Sequence, residues 1–438
     1  MQTTDVCAVA DNARFNRFHL RILIWCALII VFDGYDLAVV GVALPSMMKD
    51  FGIDATQAGF MVSSALFGMM FGNVMFGALA DRFGRKLVIA ACIAVFSVFT
   101  AAAGWARDPI EFGVLRFLAG LGIGGVMPNV IAQMTEYAPL RLRALLVAMM
   151  FSGYSLGGVL AALLGKTLLV EYGWPSVFWA AGLPLLLIPL FWAQMPESMA
   201  YLLRHGQQER LRAIVARLRP ERAPQPNEHF SSATPSSGQS ASFGALFDGG
   251  RGRSTLMFWL SCFLCLFMVY ALSSWLTKLM ASAGYSLGSA LTFVLVLNLG
   301  AIVGAVGGGW LADRFHIQRV LVGMYLLAAV SVSLLGQPLP EALLFLVVAL
   351  AGASTIGTQI VTAAYAGQFY PMAIRATGVG TMLGVGRLGA ILAPILIGVL
   401  VGMSLPLTQN FLAIGIPGAI AAVAIGLVNH SRSAQART

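Results

Sequence analysis

The chain has 438 residues, 58% of them hydrophobic and only 10% charged, against about 25% charged in soluble domains; with a mean hydropathy of +0.83 this excludes a soluble globular protein. The net charge of +9 needs no nucleic-acid partner, because the basic residues collect on one side of a membrane, as counted below. Cys7, Cys26, Cys92, Cys262 and Cys265 lie mostly within apolar runs, so no disulfide framework is expected. Cys262-x-x-Cys265 lacks a second ligand pair, and no metal site is read from it.

In chain order, residues 1–20 form a polar segment carrying Arg14 and Arg17. It leads into a span too long to be a signal-peptide core. That first span, 21–47, contains Val31-Phe32-Asp33-Gly34-Tyr35-Asp36-Leu37. A carboxylate at the bilayer centre costs roughly 2.5 to 3.5 kcal/mol, so two in one helix point to ion or proton handling. Further apolar runs at 57–80, 87–106, 110–134, 144–165, 174–194, 255–277, 288–312, 317–336, 341–367, 377–401 and 406–428 bring the count to twelve spans, each of a length that crosses a bilayer. An even count puts both termini on one side. That side holds 21 of the 27 Lys and Arg residues; the opposite loops hold four (Lys49, Arg107, Lys166 and Lys278) and two are intramembrane, so both termini are expected in the cytoplasm. Within the longest loop, 196–254, residues Arg204 to Arg222 alternate arginines with Leu211, Ile214, Val215 and Leu218. This reads as an amphipathic helix lying on the inner membrane face, followed by a disordered linker to about Ser242. A short cytoplasmic tail, 429–438, closes the chain.

The loop divides six spans (21–195) from six (255–428), and the chain repeats across it. Gly77-Ala-Leu-Ala-Asp81-Arg82-Phe83 matches Gly309-Trp-Leu-Ala-Asp313-Arg314-Phe315, with 313 − 81 = 232. Pro139 and Arg143 match Pro371 and Arg375, with 375 − 143 = 232. The expected fold is an all-α polytopic membrane protein of two pseudo-symmetric six-helix halves, with a mid-membrane site between them.

Asp33 lies about 18 Å along its span at 1.5 Å per residue, near the midplane of a ~30 Å core, and Asp36 shares its face at i,i+3. Burial and a like-charged neighbour both oppose the second negative charge, which favours a shared proton. The residues alone leave open which aspartate holds it, and whether both are instead static partners of an arginine. Two arginines are intramembrane: Arg116, roughly 9 Å inside the outer end of its span, and Arg387, at ~15 Å depth. Each stays charged there and can fork onto a carboxylate. The glycine series Gly300, Gly304, Gly308 and Gly153, Gly157 read as close-packing faces. Gly120-x-Gly122 follows no strand, which argues against nucleotide binding, and the absence of a metal cluster, nucleophile motif or cofactor loop argues against an enzyme.

The hairpin Gly77-x-Leu79-Ala80-Asp81-Arg82-x-Gly84-Arg85-Lys86 and the stretch Arg116-x-x-x-Gly120-x-Gly122-x-Gly124-Gly125 resemble the signature motifs of the major facilitator superfamily. Asp33-Gly34-Tyr35-Asp36-Leu37 with Gly41-Val-Ala-Leu-Pro45, Met127-Pro128-Asn129, Thr135-Glu136-Tyr137-Ala138-Pro139 and Met150 to Gly158 are similar to the aromatic acid:proton symporters within it. Ala13-Arg14-Phe15-Asn16-Arg17-Phe18-His19 resembles the benzoate-transporting members. The resemblance implies a monomeric importer in a bacterial-type inner membrane, carrying a small aromatic carboxylate with protons and using no cofactor. Other organic anions, such as muconate, and an aromatic-acid chemoreceptor with a separate signalling partner are the alternatives. On this reading Asp33, Asp36 and Arg116 couple the proton and Arg387 binds the substrate carboxylate, the two arginines being exchangeable. Tyr35, Tyr154, Tyr270 and Trp275 are candidates for the ring, and Asn129, Gln133, Asn298 and Gln359 for its polar substituents. An inner gate is expected from Gly77, Asp81, Arg82, Gly84, Arg85, Lys86, Glu136, Arg143, Glu197, Asp313, Arg314 and Arg375. In that gate Asp81 caps a neighbouring helix, and ion pairs between the halves, each worth about 0 to 1 kcal/mol, close when the protein faces outward.

Overall fold

Hydrocarbon requires a spanning chain to satisfy its own backbone hydrogen bonds, and a helix does so within one segment. The computed structural model describes residues 3–221, 228–231, 243–371 and 374–430, without the side chains of Thr3, Asp81, Ala144, Asp313 and Ala376. A short strand β1 (Thr3–Asp5) and helix α1 (Val6–Asp11) precede α2 (Arg17–Phe51), α3 (Ala55–Phe83), α4 (Arg85–Ala103), α5 (Pro109–Tyr137) and α6 (Arg143–Leu164). The last of these continues through a wide turn at Gly165–Leu169 into α7 (Val170–Tyr172). Then come α8 (Pro175–Ala180) and α9 (Pro184–Gln194), which together make the sixth span, and α10 (Met199–Arg204), α11 (Gln208–Leu218) and β2 (His229–Ser231) in the central loop. The second half is α12 (Gly252–Ser282), α13 (Leu287–Arg314), α14 (Ile317–Leu334), α15 (Glu341–Phe369), α16 (Arg375–Gly402) and α17 (Leu407–Gly426). Twelve spans are long and apolar enough to cross a membrane among the described residues.

Local chemistry sets the helix ends. Helix α2 begins at Arg17, earlier than residue 21, because the Asn16 side chain accepts from the Phe18 and His19 amides and so satisfies the first free donors. It ends at Gly52, whose φ of 62° suits a residue without a Cβ. Asp54 and Gln57 cap α3 reciprocally. The repeat extends to the helix starts: 287 − 55, 317 − 85, 341 − 109, 375 − 143 and 407 − 175 all equal 232.

The central loop differs from its expected placement. Leu211, Ile214, Val215 and Leu218 are buried against α1, α2 and β2, so the apolar face of α11 is spent on protein and does not lie in the membrane surface. Strand β1 pairs in parallel with β2, Thr3 opposite His229. Asn16 donates to the Arg217 carbonyl at 3.0 Å, and Arg143 pairs with Asp11, which clasps the N-terminal segment to the first half. The expected linker residues 222–227 and 232–242 lie outside the described residues, as does the tail beyond residue 430.

The halves meet along α2–α12, α3–α16 and α6–α13. Close approaches lie toward the face away from the termini: Gly59 lies against Pro394, Gly398 against Ala55 and Gly41 against Ser273, and the Ser63 hydroxyl donates to the Ile391 carbonyl at 2.8 Å. The α16 face that carries Pro394 and Ile391 continues, at helical spacings of three and four, through Arg387, Gly384 and Gly380. Beside Gly384 and Gly380, and beside Gly77 on α3, there is open space. The seam is therefore shut on the far face and parted on the terminal face, and Arg387 stands at the fork.

Within the first half, α2 crosses α6 at Gly34, where a Cβ would stand 2.2 Å from the Tyr154 carbonyl oxygen. Gly34→Ala is expected to overpack this crossing and lose about 1–3 kcal/mol, seen as a lower unfolding midpoint in detergent. Gly288→Ala, in open space, should unfold with the wild type; equal midpoints for the two variants would show that the crossing is not tight.

Candidate functional site

Two charged groupings occupy the middle of the bundle. In the first, Arg116 on α5 forks onto Asp36 on α2, with Nη1 2.9 Å from Oδ2 and 3.1 Å from Oδ1. The same nitrogen donates to Thr100 on α4 at 2.7 Å, and Nη2 donates to the Asp36 carbonyl at 3.1 Å. Asp36 and Arg116 are both about 1% exposed. The pair lies wholly within the first half, and Thr100, one of two hydroxyls, with Ser97, in an otherwise apolar stretch of α4, gave no signal in the sequence.

The second grouping spans the seam. Asp33, three residues before Asp36 and near the middle of the 35-residue α2, is fully buried with neither carboxylate oxygen hydrogen-bonded. Within Coulombic reach is Arg387 of the other half, whose Nη1 donates to the Tyr270 hydroxyl on α12 at 3.2 Å. Tyr154 on α6 stands beside Tyr270 and within reach of both charges, held there by the close approach at Gly34. A small cavity of ≈ 20 Å³ adjoins them, lined by Leu37, Val40, Val62, Ala65, Leu66, Arg116, Tyr154, Tyr270, Ser273 and Ser274. Sequence reasoning named Tyr154 and Tyr270 but missed the two serines, which resemble any other small residue in an apolar run.

The internal repeat supplies a comparison for the Asp36–Arg116–Thr100 network. Adding 232 to each number gives Met268, Val348 and Val332, all fully buried. The same helix crossings in the second half are thus filled by apolar side chains. Breaking a buried ion pair costs about 3–5 kcal/mol, whereas replacing it by packed hydrophobes is often neutral or stabilising, so the fold does not require this pair.

Other candidates are committed to the scaffold. The Tyr35 hydroxyl donates to the Val177 carbonyl at 2.6 Å, Asn129 to that of Gly125 at 2.8 Å, Gln133 to that of Pro196 at 2.8 Å and Trp275 to that of Pro394 at 3.0 Å. Asn298 donates to Val294 at 2.9 Å on its own helix, with its amide against Gly158 across the seam. In this structure the donors of these side chains serve backbone carbonyls. Gln359 is half-buried.

At the terminal face the expected bridges between halves are not formed among the described residues. Arg85 pairs with Glu136, which also accepts from the Ser198 hydroxyl at 3.0 Å and the Ala200 amide at 2.8 Å; all of these belong to the first half and its adjoining loop. Glu197 is seen at the start of α4, accepting from the Lys86 amide at 3.1 Å, where the helix dipole favours an anion. Lys86 lies over the Trp192 ring, Arg82 over Phe83 and Arg314 over Trp310, while Arg375 is exposed. The side chains of Asp81 and Asp313 lie outside the described residues, and Gly84, at φ 94°, turns the chain between α3 and α4.

Two repeated six-helix halves, shut at one face and parted at the other around buried charges, define a multi-pass membrane transporter rather than an enzyme. Residues 26–394 match the model of the Major Facilitator Superfamily. The benzoate transport protein of Acinetobacter baylyi is 45% identical, over 98% of this chain and 94% of its own. The 4-hydroxybenzoate transporter PcaK of Pseudomonas aeruginosa is 37% identical, over 98% of both. The inward-open xylose transporter XylE of E. coli shares the fold, with a TM-score of 0.73 at 18% identity, covering 94% of this chain and 96% of that one. The chain belongs to the Major Facilitator Superfamily, among its aromatic-acid transporters.

The repeat comparison yields a test. Arg116→Val alone should destabilise by about 3–5 kcal/mol, leaving Asp36 buried without its partner, and the combination Asp36→Met, Thr100→Val, Arg116→Val should recover most of that loss while remaining inactive in transport. A triple variant no more stable than the single one, in thermal unfolding, would make the network structural after all.

Proposed function

We propose that the protein is a proton-coupled symporter that imports a small aromatic carboxylate, benzoate or a hydroxybenzoate, across a bacterial inner membrane by alternating access. The observation that carries this reading is that opposite charges from different halves, Asp33 and Arg387, lie unbonded but within Coulombic reach of each other at the point where the seam parts. The substrates named for the relatives agree with it. The excess of Lys and Arg on the terminal face supports cytoplasmic termini and hence an inward-open state. One monomer suffices, because each half closes on the other.

A charge left uncompensated while the halves swing through a shut, dry state is costly. With Asp33 ionised and no substrate, Arg387 balances it and the empty carrier moves. A proton alone neutralises Asp33 and leaves Arg387 bare; an anion alone leaves one negative charge in excess. A proton on Asp33 and a carboxylate on Arg387 together restore neutrality, so the two solutes travel one to one. The substrate ring would lie beside Tyr154 and Tyr270, next to Arg387. Asp36 stays paired with Arg116 and fixes the α2 backbone on which Asp33 turns.

Uptake of labelled benzoate into proteoliposomes tests this. Asp33→Asn mimics the protonated state permanently, so it should exchange benzoate across the membrane at near wild-type rates yet fail to accumulate it under an inward proton gradient. Membrane potential alone should not drive wild-type uptake. Gradient-driven accumulation by Asp33→Asn, or uptake driven by potential alone, would overturn the scheme.

A further inference from the structure

Away from the seam, the first turns of α2 and the end of α9 flank an open groove of ≈ 570 Å³ on the outer wall of the first half. Its floor is pinned by Trp25, whose indole N–H donates to the Gln194 side chain at 3.0 Å. Leu20, Ile24, Leu28, Leu187 and Leu190 line it, with Arg17 and Arg21 at its terminal-face end. Arg17, Arg21, Ile24 and Leu28 follow one another at i, i+4, i+7 and i+11, so a single stripe of α2 runs from charged to apolar with depth.

Both arginines are exposed, and neither has an ion-pair partner among the described residues, in contrast to Arg14, Arg85, Arg116 and Arg143. The acids closest to them along the chain are already engaged or out of reach: Asp11 pairs with Arg143, Asp5 caps α1, and Asp33 is buried about three turns deeper in the span. Two adjacent guanidiniums at interface depth, heading an apolar trough that opens sideways within a membrane span, match one kind of occupant. We propose that this groove binds an anionic phospholipid, its phosphate forked by Arg17 and Arg21 and an acyl chain lying along Ile24, Leu28, Leu187 and Leu190. An acidic protein segment would satisfy the arginines but not the trough; a zwitterionic lipid would fill the trough and gain less from the arginines.

The protein reconstituted in phosphatidylcholine vesicles, doped with brominated phosphatidylglycerol or brominated phosphatidylcholine, provides the test. The Trp25 share of the fluorescence is obtained by difference from Trp25→Phe. Phosphatidylglycerol should quench this share at lower mole fraction than phosphatidylcholine, and removal of each arginine should weaken the preference by about fivefold, with Arg17→Gln/Arg21→Gln abolishing it. A separate count of retained phosphatidylglycerol per protein by native mass spectrometry should fall by one in the double variant and does not depend on Trp25→Phe folding. Equal quenching by the two lipids in the wild type, a preference that survives the double variant, or displacement of the lipid by inorganic phosphate would each overturn the proposal.

Discussion

The structure turns on the cost of charge inside hydrocarbon. Asp33, Asp36, Arg116 and Arg387 lie deep in the spans, and each is tolerable only while something of opposite sign, or a proton, answers it. Asp36 and Arg116 answer each other permanently within one half. Asp33 has no hydrogen-bond partner and only the charge of Arg387 across the seam. The first arrangement is fixed by three helices of one rigid unit, while the second depends on how two units are docked. Only the second can be altered by a proton and an anion without unmaking a half.

Comparing the halves separates what the fold needs from what it carries. Five helix starts repeat at the same spacing, so the backbone plan is shared. Where the first half has Asp36, Thr100 and Arg116, the second has Met268, Val332 and Val348, packed and buried. Arg387 in turn corresponds to Ser155, since 387 − 232 = 155. The charged groups are therefore departures from the repeat, each half supplying what the other lacks, and departures that cost energy are where function concentrates.

Much of this was legible in the sequence. Apolar run length gave twelve spans, and two motif pairs at equal spacing gave the repeat. The expense of carboxylates in lipid picked out Asp33 and Asp36. What was not legible is which arginine each aspartate faces, because that depends on helix rotation and on where the halves touch. Tyr35, Asn129, Gln133 and Trp275 read as ligand groups because polar atoms at lipid depth must face the bundle; the carbonyls that take their hydrogens sit on another helix, in the loop after α9 or one turn away, and side-chain type alone does not separate a tie from a ligand. The amphipathic pattern of α11 was read correctly, but periodicity cannot tell a membrane surface from a protein one. The partner surface came from α1, α2 and β2.

The distribution of ties also says which half moves as a block. The first half is clasped at its terminal face by Arg85–Glu136, Glu197 at the start of α4, Arg143–Asp11 and the β1–β2 pair. Among the described residues the seam offers close backbone contacts, a few side chains against glycines such as Asn298 at Gly158, and the serine hydrogen bond on the far face. Exposed or half-exposed ion pairs contribute little singly, but inside one half they resist distortion while leaving the inter-half equilibrium nearly untouched. A carrier needs that division: stiff halves, so that a sub-ångström change at Asp33 and Arg387 is felt across the whole seam, and a seam weak enough to open at either face. Small residues at the crossing points, Gly41, Gly59 and Gly398, give close apposition without side-chain interlock. Shape then holds the far face shut, and the balance of charge at the fork decides when it lets go.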